Sequence, residues 1–336
     1  MENKLTDMVR SPRREPVPGL GVTAMFLGAI ALGALLGLSN PVLGSRLSQG
    51  IDPTLLAMVG LLFFEVRLRA VAAGLANLRF IALAWGANFL VVPLIGYAIA
   101  SLFLTGQPLL YTGLLIYFLA PCTDWFLGFT RMARGDTALG AALLPINMLT
   151  QLLLYPLWLW LFTRHTGVAD FETIPSVLLQ WFLVPFVVAQ AARWFFVRLL
   201  PAATFDRICR DVGSLIPLLT AALILQIFAA NVTTIAAHLE AFGPIFVAIL
   251  AFFVVTYGLG EGLTRLFGLR HPEHALLAMT TAARNAPLML AVTAIAIPNQ
   301  PLVYAALVIG MLVEFPHLTV LKQLLLTKAV RKGTRA

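Results

Sequence analysis

Residues 109–132, LLYTGLLIYFLAPCTDWFLGFTRM, and residues 274–297, HALLAMTTAARNAPLMLAVTAIAI, are each long enough to cross a bilayer, and polar residues interrupt both near the middle. The first break is Pro121, Cys122, Thr123 and Asp124; the second is Arg284, Asn285, Ala286 and Pro287. Hydrocarbon cannot hydrogen-bond a freed peptide group, so unwound backbone at membrane depth persists only where protein buries it or where it lines a wet cavity. A pair of interrupted segments in matching places of the two halves therefore points to a solute site at the bilayer midplane.

The rest of the chain fits that setting. It is 60% hydrophobic and 11% charged, whereas soluble domains carry about 25% charged residues. The net charge of +8 is spread over short loops and both ends instead of forming a face, so it points to membrane orientation and not to a nucleic-acid partner. The two cysteines, Cys122 and Cys209, are too far apart in sequence to imply a disulfide framework. The apolar run after residue 19 lacks the short core and small-residue cleavage site of a signal peptide, and it reads as a retained span.

Runs of about 20 apolar residues, the length that crosses about 30 Å of hydrocarbon, fall near 20–38, 53–66, 79–104, 109–132, 138–163, 174–197, 213–231, 243–267, 274–297 and 301–327. With the N-terminus in the cytoplasm, all 23 Lys and Arg fall on the inner side except Arg46, Arg164 and the intramembrane Arg284, as the retention of basic loops on the cytoplasmic face requires. The expected fold is therefore an all-α polytopic membrane protein of ten transmembrane helices. Both termini would be cytoplasmic. Ten spans divide into five plus five, and an odd number per half makes the second half an inverted repeat of the first. The broken, crossing helices are then the fourth and the ninth. The expected organisation is a cytoplasmic tail over 1–19, one transporter domain over 20–327 with repeats near 20–163 and 174–327, and a basic tail over 328–336 placed at the anionic inner leaflet.

Four ionisable residues lie inside these spans: Glu65, Asp124, Arg284 and Glu314. Such groups are costly in a bilayer and usually mark function. Glu65, near the end of the short second span beside Arg67, reads as interfacial, with no transport role. Asp124 and Arg284 occupy the two breaks and would pair across the site if the segments cross, either as a purely structural ion pair or as part of solute recognition. Glu314 precedes Pro316, which frees a carbonyl one turn earlier, and it is a candidate proton or cation carrier. Cys122 stands where a new half-helix begins and where N-terminal amides favour a thiolate. Such a thiolate is a ligand for soft trivalent metalloids, although a buried cysteine also serves as a small hydrophobe. Cys209 falls in a loop with no comparable setting. His271, Glu273 and His274 stand around Pro272 without further ligands and do not read as a metal site. No nucleotide-binding loop, nucleophile elbow or zincin-type His pair occurs, so neither an ATP-driven pump nor a membrane hydrolase has its working parts here. No enzyme activity, cofactor or resident metal is expected.

The motifs around Asn88–Pro93, Ala120–Thr123, Met132–Asp136 and Asn147 resemble the bile acid:sodium symporter superfamily, and within it the arsenite permease branch. Thr281–Leu288 and Val308–Pro316 strengthen the likeness. The resemblance implies ten helices in a five-plus-five inverted repeat. It also implies a metalloid-linked cysteine at Cys122, a carboxylate at Glu314, and export of arsenite or antimonite in exchange for protons across the plasma (inner) membrane. Thr123, Asp124, Arg284 and Asn285 complete the expected substrate-binding set, with Asp124 and Glu314 in proton or cation coupling. Two departures stand out. Trp125, Phe126 and Leu127 replace the small polar residues that hold sodium in the symporters, which argues against a sodium site of that kind. Asp124 and Arg284 replace uncharged residues of the permeases, which leaves open cation-coupled uptake of an organic anion anchored by Arg284. A non-transporting membrane scaffold is the remaining alternative.

Overall fold

The computed structural model describes residues 18–66, 77–123, 125–168 and 183–333. The described residues form helices only: α1 Pro18–Ser39, α2 Pro41–Ser48, α3 Ile51–Glu65, α4 Leu78–Phe103, α5 Pro108–Leu119, α6 Phe126–Met132, α7 Thr137–Thr163, α8 Val184–Leu199, α9 Ala202–Ala236, α10 Phe242–Phe267, α11 His271–Ala282, α12 Ala286–Ala296 and α13 Pro301–Gly333. Among them α1, α4, α7, α9, α10 and α13 are each long and apolar enough to cross a bilayer, and α2 with α3, bent by 40°, makes a seventh. The run 109–132 is divided into α5 and α6, and the run 274–297 into α11 and α12. The first part of the run 174–197 and the tail over 1–17 lie outside the described residues.

Solvent preference explains the surface. Leu35, Val188, Trp194, Phe195 and Val254 are more than half exposed on α1, α8 and α10. A water-soluble monomer rarely exposes so much apolar area, whereas side chains of this kind are at home against acyl chains. Helix association in such a medium relies on close contact, not on hydrophobic expulsion. Gly33 and Gly37, one turn apart on α1, lie so near the α9 carbonyls of Leu225 and Ala229 that a methyl group would not fit. This approach seats α1 along α9.

Two groups of helices result. α1, α2, α3, α8 and α9 pack on one another, and α4, α5, α6, α7, α10, α11, α12 and α13 form a second group around the breaks. In the second group, Glu261 of α10 lies 3.0 Å from His274 at the start of α11 and 2.8 Å from Lys328 near the end of α13. His271 is in hydrogen-bond contact with the carbonyl of Ala133 at 3.0 Å. The residues around Pro272 thus begin a helix and pin it to its neighbours. Cys209 is likewise in a helix, α9.

Candidate functional site

The two interruptions meet. Pro121 and Arg284 face each other as an antiparallel pair. The Cys122 N–H donates to the Ala283 carbonyl at 3.0 Å, and the Asn285 N–H donates to the Ala120 carbonyl at 2.9 Å. Backbone groups freed by each break are thus satisfied by the other, the condition that buried backbone demands where water is excluded. Local chemistry starts the next half-helix: the Asn285 side chain accepts from the Leu288 N–H at 3.4 Å, and Pro287 takes a first-turn position that needs no donor.

Cys122 is buried, with no exposed surface, and is outside any disulfide. The hydroxyl of neighbouring Thr123 accepts from Asn285 Nδ2 at 2.8 Å, linking the two breaks side chain to side chain. Asp124 lies outside the described residues.

Glu314 reaches the same junction from α13. Its Oε1 accepts from Trp125 Nε1 at 2.8 Å and from the Arg284 backbone N–H at 3.1 Å, and its Oε2 accepts from the Tyr117 hydroxyl at 3.1 Å. The carboxylate is fully buried and meets three donors, an arrangement that satisfies it without water. Gly310, one turn earlier on α13, makes this reach possible: a Cβ there would lie 2.7 Å from the Tyr117 ring.

The guanidinium of Arg284 meets a different set of partners. Nη1 donates to the Phe118 carbonyl at 3.0 Å, and Nη2 approaches the carbonyls of Thr280 at 2.9 Å and Thr281 at 2.7 Å and Asn88 Oδ1 at 3.4 Å. The Phe252 ring lies 5.6 Å from Cζ. Both terminal nitrogens are bonded to protein oxygens, while Nε is buried without a hydrogen-bond partner among the described residues. Asn88 is placed by a π-helical turn, Ala87–Val91, just before Pro93. Proline has no N–H for the helical ladder, and wide turns of this kind commonly set functional side chains. Asn88 Nδ2 also donates to Thr280 Oγ1 at 3.0 Å, and Asn147 Nδ2 to the same oxygen at 3.4 Å.

A cavity of about 470 Å³ lies between the two groups of helices and reaches this junction. Thr123 and Leu127 line one wall; Glu65, Arg193, Asp206 and Cys209 line the other. Glu65 also borders a second cavity of about 350 Å³ that touches Trp125. Glu65, at the end of α3, thus borders both cavities, and Cys209 shares the first with Thr123. Tyr117, Asn88 and Thr280 belong to the site as well. Asn88 alone carried a signal, an amide among apolar residues five before a proline.

A helical membrane protein with paired breaks, buried charges and an adjoining cavity is a solute transporter by class. The model of the Sodium Bile acid symporter family matches residues 53–238, more than half of the chain, which belongs to that family. The match contains the first break but ends before Arg284 and Glu314. Over 252 residues the chain is 27% identical to the arsenical-resistance protein Acr3 of Corynebacterium glutamicum, covering 69% of this chain and 65% of that protein. Over 143 residues it is 30% identical to an uncharacterized protein of Pseudomonas aeruginosa, covering 40% of this chain and 43% of the other. The chain thus spans less than two thirds of each relative's length.

Proposed function

We propose that this protein is a proton-coupled secondary transporter that exports arsenite or antimonite across the plasma membrane by alternating access. Its ten spans would form a five-plus-five inverted repeat with both termini cytoplasmic. The observation that carries this reading is that a thiol and a buried carboxylate share one junction: Cys122 is bonded to Ala283 through its backbone, and Glu314 to the very next residue, Arg284. The likeness to an arsenical-resistance protein favours a trivalent metalloid as the solute.

Ligation would need no redox partner. The Cys122 thiol displaces one hydroxyl of As(OH)₃, a sulfur–arsenic bond replaces an oxygen–arsenic bond, and the thiol proton leaves with the hydroxyl as water. A single thiolate holds the metalloid loosely enough for release, while Thr123 and Asn285 offer polar contacts to the remaining hydroxyls. The cavity supports loading from the inner side, because its far wall carries Arg193 and Cys209, which the distribution of basic residues assigns to the cytoplasmic end. Cys122 is closed off in this conformation, so rocking of the two helix groups must uncover it.

Coupling would run through Glu314, with Asp124 as a second exchangeable group. As a carboxylate, Glu314 accepts from Trp125, Tyr117 and the Arg284 backbone. Once protonated it must also donate, and Tyr117 or Trp125 has to turn or withdraw. Both residues flank the first break, so a proton at Glu314 alters the wall of the solute site. Expression in arsenite-sensitive cells lacking exporters tests the assignment. The wild-type chain is expected to confer resistance and Cys122→Ser none; equal resistance from the two would remove the metalloid ligand from the mechanism.

A further inference from the structure

The Arg284 guanidinium sits where oxygen atoms of three separate segments converge. Phe118 belongs to the last turn of α5, and Thr280 and Thr281 to the last turn of α11. Helix C-termini carry partial negative charge on carbonyls that lack intrahelical donors. Two such ends aimed at one point form a cation site, and in secondary transporters unwound carbonyls and half-helix C-termini are the groups that coordinate a coupling sodium ion or proton. The fourth oxygen, Asn88 Oδ1, is held in place because the same amide donates to Thr280 Oγ1. Among the described residues the ligand set is therefore three backbone carbonyls and one amide oxygen, all neutral and all hard, the donor type that suits alkali and alkaline-earth cations. Phe252 closes the site on a further side with its ring, another cation-tolerant surface.

From this convergence of two helix C-termini and Asn88 on the buried Arg284 side chain, we propose that Arg284 is a tethered cation that fills an alkali-cation site and thereby frees the transporter from a bound coupling ion at this position. The guanidinium satisfies the carbonyls at both broken ends permanently, so the broken helices are held together without an ion having to enter. Removing it while keeping the oxygens would open a site for a free monovalent cation, sodium being the best fit to a few hard oxygen ligands. The inference concerns the second break and stands apart from metalloid ligation at Cys122.

The test is thermal unfolding of purified protein in detergent, in sodium, potassium, lithium or choline chloride at matched ionic strength. Wild type and Arg284→Lys, which keeps a tethered charge, are expected to unfold at the same temperature in all four salts. Arg284→Ala is expected to unfold lower than wild type in choline and to regain about 3–5 °C in a concentration-dependent manner with one alkali cation. Three results would overturn the proposal: an Arg284→Ala protein that folds but responds alike to all four salts, one that cannot be recovered folded in any of them, or a wild-type protein that is itself stabilised by an alkali cation over choline. None of these readouts involves a metalloid, so the outcome leaves the Cys122 assignment to its own experiment.

Discussion

The two breaks share a backbone solution and differ in chemistry. At the first, Thr123 opens onto a cavity of about 470 Å³, and the thiol of Cys122 lies one residue away. At the second, Arg284 and Asn285 are fully buried, and the guanidinium is enclosed by carbonyls. In the proposed mechanism the first break faces the solute path while the second acts as a fastening. A repeated backbone device can thus be divided between two duties, provided each interruption supplies the hydrogen bonds that the other lacks.

The largest effect that would sharpen this contrast is expected at Glu314, which touches both sides through Trp125 and the Arg284 backbone. In proteoliposomes with a pH difference of one unit, one proton per solute sustains a concentration ratio of about tenfold, or about 1.4 kcal/mol. Glu314→Gln is expected to lose that proton-driven ratio while still exchanging labelled metalloid at equilibrium. Retention of the full ratio would place coupling elsewhere.

A smaller effect is expected from packing. Gly310→Ala sets a methyl group against the Tyr117 ring at 2.7 Å, and overpacking of this kind costs about 1–3 kcal/mol. Thermal unfolding should fall by a few degrees, and an unchanged midpoint would mean that α13 can slide to make room. The smallest effect belongs to the second break itself. Asn285→Ala removes the cap on α12 and the hydrogen bond to Thr123, for a loss of about 1 kcal/mol, measured as a lowered midpoint. A loss several times larger would show that the link between the breaks, and not the cap, is the principal contribution.

Much of this was legible in the chain because polar residues at membrane depth are conspicuous. Pro121 to Asp124 and Arg284 to Pro287 announced the interruptions, and Glu314 announced a buried acid. What the sequence could not convey was partner choice. Among the described residues the acceptors of the Arg284 side chain are the carbonyls of Phe118, Thr280 and Thr281 and the amide of Asn88, while Asp124, its expected partner, lies outside them. Any backbone offers carbonyls, so nothing in a residue string singles out those that converge. Tyr117 looked like one more apolar-run aromatic until Gly310 brought α13 against it. Glu65 and Cys209 illustrate the same point: they are 144 residues apart in number, and only the packing of α3 against α9 places both on one cavity wall. Helix count is a different case. Among the described residues six helices, or seven with the bent pair, are long enough to span, and the ten-span repeat rests on how the broken segments are paired in the proposed topology.

Arsenic X-ray absorption on the purified protein loaded with arsenite addresses the metalloid site most directly. One sulfur scatterer on arsenic is expected in the wild type and in Cys209→Ser, and an all-oxygen shell in Cys122→Ser. A sulfur scatterer that survives in Cys122→Ser, or an all-oxygen shell in the wild type, would contradict a solute site at the meeting of the two breaks.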